Sequence, residues 1–204
     1  MTTTASATYL DEVVRVASAL DPRELEAMAL GLAAVRDGGG RLFIIGVGGG
    51  AGHASHAVND FRKICHFEAY TPTDNVSELT ARVNDDGWET TFEAFLKTSR
   101  ISDRDAVLVF SVGGGSREHN VSMNIVFAVE LAKRVGAKIY GIVGKPDGVT
   151  AQLADVCVVV NAAAELRTGV VEGFQAVVWH GLVTHPALSA QLGKWESVES
   201  AVGP

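Results

Sequence analysis

Two glycine-rich loops, each placed between an apolar strand and a helix, constrain the fold of this chain more than any other feature. The first loop, 46–52, has the sequence Gly-Val-Gly-Gly-Gly-Ala-Gly and follows the apolar run at 41–45. The second loop, 111–116, has the sequence Ser-Val-Gly-Gly-Gly-Ser and follows the apolar run at 106–110. Backbone N–H groups in such loops can approach an anion, and the helix that follows offers its positive end. Two such units in one chain predict an α/β fold that holds a phosphorylated small molecule.

The rest of the chain alternates apolar runs with helical patterns, which is typical of a parallel sheet flanked by helices on both faces. Strands are predicted at 41–46, 106–111, 138–143 and 156–160, with a weaker strand at 67–71. Helices are predicted at 7–19, 23–36, 51–65, 87–99, 119–135 and 170–184. Asp21 and Pro22 are typical of a helix start. We expect one domain over 1–204, with 7–37 as a helical extension at its N-terminal end.

Composition narrows the class of partner. The formal net charge is −7, which argues against nucleic acid as a partner, and the chain is 47% hydrophobic, too apolar for a disordered protein. We find no run of about 18 apolar residues and expect no membrane span. Cys65 and Cys157 form no Cys-x-x-Cys pair, and no signal peptide precedes them, so we expect a cytoplasmic protein.

Histidine and carboxylate side chains occur at helical spacing just after the first loop. His56 and Asp60 are four residues apart and share one face of the predicted helix. Such a pair could chelate a divalent metal ion, divide acid and base roles, or form only a surface ion pair. The neighbouring glycine loop favours a functional role. His53 is expected to be a polar residue of the helix N-terminus.

Glu172 and His180 lie on the last long predicted helix. Taken alone, Glu172 is typical of a partner for a helix dipole, and His180 is typical of a histidine packed among apolar residues. Eight helical residues separate their Cα atoms by ~12 Å along the axis. One metal ion could therefore bind both side chains only if they extended a long way towards each other, or if they came from different subunits. His185 is expected at the helix end.

Two polar stretches leave alternatives open. Residues 73–77 and 84–88 could serve turns and helix caps, or could bind sugar hydroxyls. Ser111 and Ser116 could bind phosphate oxygens, or Ser116 could cap a helix that begins near Arg117. The first loop loosely contains a Gly-x-Gly-x-x-x-Gly pattern, but Glu68 begins the weak strand where a dinucleotide site needs an acid at the strand end.

The pattern as a whole resembles the sugar isomerase (SIS) domain and, within it, the phosphoheptose isomerases, from about residue 42 to 185. Residues 46–50 stand where the family has Gly-Asn-Gly-Gly-Ser, and 84–88 resemble Asn-Asp-aromatic-Gly-aromatic. Residues 111–116 stand in place of Ser-Thr-Ser-Gly-Asn-Ser, and the spacing from Glu172 to His180 matches a family Gln and catalytic His. The resemblance implies an SIS-type, flavodoxin-like three-layer sandwich that assembles as a homotetramer.

The resemblance also implies an activity, that of a phosphosugar aldose–ketose isomerase acting on sedoheptulose 7-phosphate through an enediol. It implies catalytic roles for Asp60, Glu172 and His180, with either Asp60 or Glu172 as the base. It implies zinc bound by His56, Asp60, Glu172 and His180. The substrate- and phosphate-binding residues that it implies are Gly48, Gly49, Gly50, Asn84, Asp85, Ser111, Gly113, Gly114 and Ser116.

The chain also departs from the family pattern. Asp60 is one methylene shorter than the family Glu, and Glu172 replaces a neutral Gln. Val112 and Gly113 lack two hydroxyls of the family loop, for which Arg117, His119 or additional amides could compensate. These departures keep two alternatives open: an isomerase of another sugar phosphate, and a sugar-phosphate-binding SIS protein without catalysis.

Overall fold

One parallel sheet forms the centre of the computed structural model, which describes residues 4–201. Its strands are β1 (Leu42–Gly46), β2 (Ala69–Tyr70), β3 (Ala106–Ser111), β4 (Lys138–Val143) and β5 (Val156–Val159). Their order in the sheet is β2-β1-β3-β4-β5, and each neighbouring pair is parallel. In this doubly wound order the winding direction reverses between β1 and β3, and ligands bind beside such a reversal.

Helices cover the sheet on both faces. They are α1 (Ala5–Ala19), α2 (Pro22–Asp37), α3 (Gly49–Lys63), α4 (Val76–Asp86), α5 (Thr91–Thr98), α6 (Met123–Val135), α7 (Val149–Leu153), α8 (Arg167–Val183) and α9 (Lys194–Ala201). The expected start of α2 is confirmed, because the Asp21 side chain accepts a hydrogen bond from the Arg23 amide at 2.9 Å. None of the described helices is long and apolar enough to cross a membrane.

Two apolar clusters, one on each face, join the helices to the sheet. On one face, α2, α3 and α8 bury large side chains, among them Met28, Phe61 and Trp179. On the other face, α5 and α6 bury Phe92 and Val129 against the sheet. The apolar strands are buried because both of their faces are covered, so the three-layer α/β sandwich expected from the sequence is confirmed.

Three local predictions need correction. The first concerns α4 (Val76–Asp86), where no helix was predicted; it buries no side chain, although Val76, Leu79 and Val83 lie at helical spacing. The helix predicted at 87–99 is a 3-10 turn (Trp88–Thr90) followed by α5. The helix predicted at 119–135 begins only at Met123, because Ser116 and Val121 first form an antiparallel bridge. Ser116 therefore caps no helix.

Candidate active site

A cavity of about 360 Å³ opens between the two glycine loops at the carboxyl edge of the sheet. It lies where β1 and β3 end, which is the reversal point of the strand order. Backbone and side chains of both loops line it, together with four polar side chains from outside the loops, Ser122, Lys145, Glu172 and Gln175. These lining residues include Val47, Gly50, Ser111, Val112, Gly113, Lys145, Glu172 and Gln175.

The first loop brings α3 against the carboxylate of Glu172. Gly48 adopts φ +59°, and α3 then begins at Gly49 without a side-chain cap. A Cβ built at Gly49 would lie 2.5 Å from Glu172 Cδ and 2.7 Å from Oε1, so no larger residue fits there without displacing Glu172. The carboxylate thus lies at the positive end of α3, where a negative charge is favoured. An anion already lies at this helix end, which disfavours a phosphate dianion in the same place.

Hydrogen bonds to the side chains of Ser111 and Thr150 fix the conformation of the second loop. Ser111 Oγ accepts a hydrogen bond from the Gly114 amide at 3.0 Å, and the Gly114 carbonyl accepts one from Thr150 Oγ1 at 2.8 Å. The amides of Gly113 and Gly115 donate no hydrogen bond within the described residues. This loop therefore presents unpaired N–H groups, which suits an anion.

A second cavity, of about 300 Å³, adjoins the first along the second loop. Gly113 and Lys145 line both cavities, whereas Ser111 lines only the first and Ser116 only the second. Lys145 forms no ion pair with a described residue and is exposed. Sequence reasoning missed Lys145, although its position two residues beyond β4 places it at the same sheet edge as both loops.

Three potential metal ligands converge between α3 and α8, away from the loops. Asp60 Oδ2 lies 3.7 Å from His56 Nε2 and 3.9 Å from His180 Nε2. Ligand atoms of the three side chains all lie within 4.8 Å of one another. Trp179 is buried below them, and its ring stacks on that of His180 with centroids 3.5 Å apart. The three residues His56, Asp60 and His180 are hereafter the histidine cluster.

The donor chemistry of the histidine cluster fits a divalent metal ion. His180 Nδ1 lies 2.8 Å from the carbonyl oxygen of Ala176, which assigns the proton to Nδ1 and leaves the Nε2 lone pair facing Asp60. Two imidazoles and one carboxylate, with further positions open, form a donor set that zinc uses in catalytic sites. The side chain of Asp60 is only 14% exposed, whereas His56 and His180 are 58% and 50% exposed.

Glu172 does not belong to the histidine cluster within one chain, which corrects the four-residue metal set. It lies beside Gly49 at the start of α3, whereas His180 lies beside His56 further along the same two helices. Seven residues from Gly49 to His56 span ~10 Å of helix. The rise of the helix therefore separates Glu172 from His180, in agreement with the separation calculated from their spacing.

Asn84 and Asp85 also lie outside both cavities. They occupy the exposed last turn of α4, where Asn84 Nδ2 donates a hydrogen bond to Asp85 Oδ1 at 2.7 Å. His185 follows the end of α8 as expected, and its Nε2 lies 3.0 Å from Glu26 Oε2. Within one chain, Glu172 and the second loop thus line the same cavity, whereas the histidine cluster and the end of α4 lie outside it.

Comparison with known proteins agrees with this architecture, although no family model matches the chain. The lincomycin biosynthesis protein LmbN of Streptomyces lincolnensis is 30% identical over 184 residues, which cover 85% of this chain and 65% of the relative. A phosphoheptose isomerase of Chlorobium phaeobacteroides is 32% identical over 148 residues, which cover 68% of this chain and 62% of the relative. The chain therefore spans slightly less than two thirds of the length of these curated relatives.

A solved structure of the phosphoheptose isomerase GmhA from Neisseria gonorrhoeae shares the fold. The two structures superpose with a TM-score of 0.73 at 21% identity, over 87% of this chain and 91% of the other. Fold and cavity together define an SIS-type α/β sandwich. Several of its sequence relatives are phosphoheptose isomerases, at 27% to 32% identity, so the chain is similar to that family.

Proposed function

We propose that this protein is a phosphosugar aldose–ketose isomerase that converts sedoheptulose 7-phosphate to D-glycero-heptose 7-phosphate through an enediol. The observation that carries the proposal is that one scaffold presents both a loop with unpaired amides and a carboxylate within 4 Å of two imidazoles. The first feature suits a phosphate, and the second suits proton transfer. The relative from Chlorobium phaeobacteroides is a phosphoheptose isomerase, which supports the same substrate class.

The phosphate is proposed to bind at the second loop. The amides of Gly113 and Gly115 and the hydroxyls of Ser111 and Ser116 provide donors, and the ammonium group of Lys145 provides the positive charge. Val112 and Gly113 supply no side-chain hydroxyl, so a cation at this edge compensates for missing donors. The residues of the first loop that line the cavity, Val47 and Gly50, are assigned together with Glu172 to the uncharged part of the sugar.

Isomerisation requires a base that removes a proton beside the carbonyl and an acid that serves its oxygen. Asp60 and His180 are the proposed proton-transfer pair, because their side chains approach within 3.9 Å and Asp60 also contacts His56. Glu172 is the alternative base, since its carboxylate lines the cavity. A zinc ion bound by the histidine cluster would supply positive charge for the enediolate oxygen.

The site as proposed needs more than one subunit. The histidine cluster lies ~10 Å along α3 from the cavity, and its imidazoles are about half exposed. We propose a homotetramer in which the cluster of one copy faces the cavity of another, with the end of α4 also at this interface. On α1, Leu10 and Val14 are 61% and 65% exposed and offer apolar surface for assembly.

We further propose that residues 1–204 form one SIS domain and that the protein acts in the cytoplasm.

Incubation of the purified protein with sedoheptulose 7-phosphate, with and without a chelator, followed by product identification tests the proposal. His180→Gln should lower turnover by about 10²-fold or more while phosphate binding persists. Ser116→Asp should raise KM through charge repulsion with the phosphate. Absence of any heptose 7-phosphate under either condition, or full turnover by the His180 variant, would contradict the proposal.

An isomerase of another sugar phosphate is the second candidate. The observation that favours it is the replacement of two family loop hydroxyls by Val112 and Gly113. A panel of pentose, hexose and heptose phosphates incubated in D₂O would discriminate, because enediol formation exchanges the proton beside the carbonyl. A sugar phosphate that binds without exchange would instead indicate a binding protein without catalysis.

A further inference from the structure

Gln175 is a fully buried polar residue whose hydrogen-bonding groups have no partner. It lies on α8 with 0% of its surface exposed, and neither Nε2 nor Oε1 forms a hydrogen bond with any described residue. Buried side-chain amides in native proteins almost always have partners, so a carboxamide with both ends unpaired indicates a missing ligand or water. An apolar residue of similar volume would pack among its neighbours on α8, which are Val171, Phe174 and Val178, without this cost.

The position of Gln175 points to a ligand in the first cavity. The residue lines the cavity of about 360 Å³ together with Glu172, which lies one helical turn earlier on α8. Residues three apart lie on adjoining positions of one helix surface. The carboxylate and the carboxamide therefore form a polar strip on a cavity wall that is otherwise largely apolar.

The two side chains offer complementary hydrogen bonds. An ionised Glu172 only accepts hydrogen bonds, so it can bind sugar hydroxyls but not a carbonyl oxygen. Gln175 offers two N–H donors and an acceptor oxygen, a combination that fits a carbonyl oxygen beside a hydroxyl. Lys145, the only other nitrogen donor among the side chains that line this cavity, follows β4 at the edge shared with the phosphate-type loop.

We propose that Gln175 is a substrate-binding residue that determines specificity, because its carboxamide hydrogen-bonds the carbonyl and adjacent hydroxyl of a polyhydroxylated ketose phosphate. This inference rests on the proposed function for the substrate class. It adds to the proposed substrate site a residue that lies within the apolar stretch of α8, where the sequence indicates only core packing.

Gln175→Met tests the proposal, because methionine has a similar shape and lacks both polar groups. The affinity of wild type and variant for sedoheptulose 7-phosphate and for inorganic phosphate is measured by calorimetry, and the urea midpoint is measured without ligand. We expect the affinity for the sugar phosphate to fall about 10- to 100-fold, with the affinity for inorganic phosphate unchanged. We expect the urea midpoint of unfolding to stay the same or rise, since an unpaired polar group is removed.

The control is Gln191→Met. The Gln191 side chain is exposed and donates a hydrogen bond to the Lys63 carbonyl, and this variant should keep wild-type affinity.

The outcomes separate this inference from the proposed function. A selective loss of sugar-phosphate affinity supports the role of Gln175, whether or not the wild-type protein turns the sugar over. Unchanged affinity, or an equal loss for the sugar phosphate and inorganic phosphate, would overturn it even if isomerisation is observed. If the wild-type protein bound inorganic phosphate but no sugar phosphate, both the inference and the proposed function would be wrong.

Discussion

The carboxylate of Glu172 lies directly against the backbone of Gly49, so that a Cβ at Gly49 would come within 2.5 Å of Glu172 Cδ. This contact fixes the start of α3 relative to α8 and holds an acidic group at the wall of the cavity. A side chain at this position of the first glycine loop would have to displace the Glu172 carboxylate. The same loop geometry would otherwise suit an anion from solution, and here an anion from the chain takes its place.

Gly49→Ala is expected to displace Glu172 and to lower kcat/KM about 10- to 100-fold, because small misplacements of site groups are costly. Steady-state kinetics with sedoheptulose 7-phosphate measure the effect. The matched control is Gly52→Ala on the same helix, where a Cβ would have no neighbour within 4 Å. That control should keep wild-type kinetics and gain about 0.5–1 kcal/mol of unfolding free energy. Wild-type kinetics in both variants would show that the position of Glu172 does not matter.

The proposed composite site predicts complementation between inactive subunits. Glu172→Ala removes the cavity carboxylate, and His180→Gln removes an imidazole ~12 Å away along the helix. If the two groups act from different copies, unfolding and refolding a mixture of the two variants should regenerate about a quarter of the sites intact. Turnover of the mixed and the separate variants measures this. Activity in the mixture no higher than the mean of the separate variants would place both groups in one chain or outside catalysis.

The sheet was predictable from sequence because its strands are buried on both faces. The predicted bounds of β3 and β4 agree with the structure residue for residue, since a continuous apolar run ends abruptly at a loop. Helix α4 was not predicted because its polar residues were attributed to turns, caps or sugar binding, although Val76, Leu79 and Val83 lie at helical spacing. A cap signal was nevertheless present, as Asn75 accepts a hydrogen bond from the Glu78 amide.

The candidate site was only partly predictable, because local spacing gives neighbours along one helix but not contacts between helices. The pairing of His56 with Asp60 follows from a separation of four residues, and the structure brings them within 3.7 Å. The approach of His180 depends on how α8 packs on α3. The unpaired carboxamide of Gln175 has no signal in the sequence, since burial and missing partners are properties of the folded chain alone.

Lys145 is expected to act through its charge. Lys145→Gln should raise KM for a sugar phosphate about 10-fold with little change in kcat, because charge-assisted hydrogen bonds to phosphate are the strong ones. The loss should shrink as salt is added, since an exposed charge is screened. Kinetics at low and high ionic strength measure both effects. Lys133→Gln makes the same change of net charge on α6, outside both cavities, and should behave as wild type. An equal rise in KM in the two variants would assign the effect to overall charge.

The ion pair between Arg41 and Asp105 is expected to make stability depend on acidic pH. The side chain of Asp105 is 3% exposed, and it accepts hydrogen bonds from the Arg41 guanidinium and from the amides of Arg41 and Ser102. Burial raises the pKa of this carboxyl, but the hydrogen bonds and the charge of Arg41 outweigh burial, so the net shift is downward.

Because the pKa of Asp105 is lower in the folded chain than in the unfolded one, its contribution is complete above the unfolded value of about 3.9. It is lost as the pH falls below the unfolded value and through the folded one. Asp105→Asn should therefore cost about 2–4 kcal/mol of unfolding free energy at pH 7, where it breaks a largely buried pair. The cost should diminish towards pH 3, which urea unfolding at both pH values measures. Asp103→Asn, which changes the charge of a neighbouring residue without an ion pair among the described residues, should show no such pH dependence.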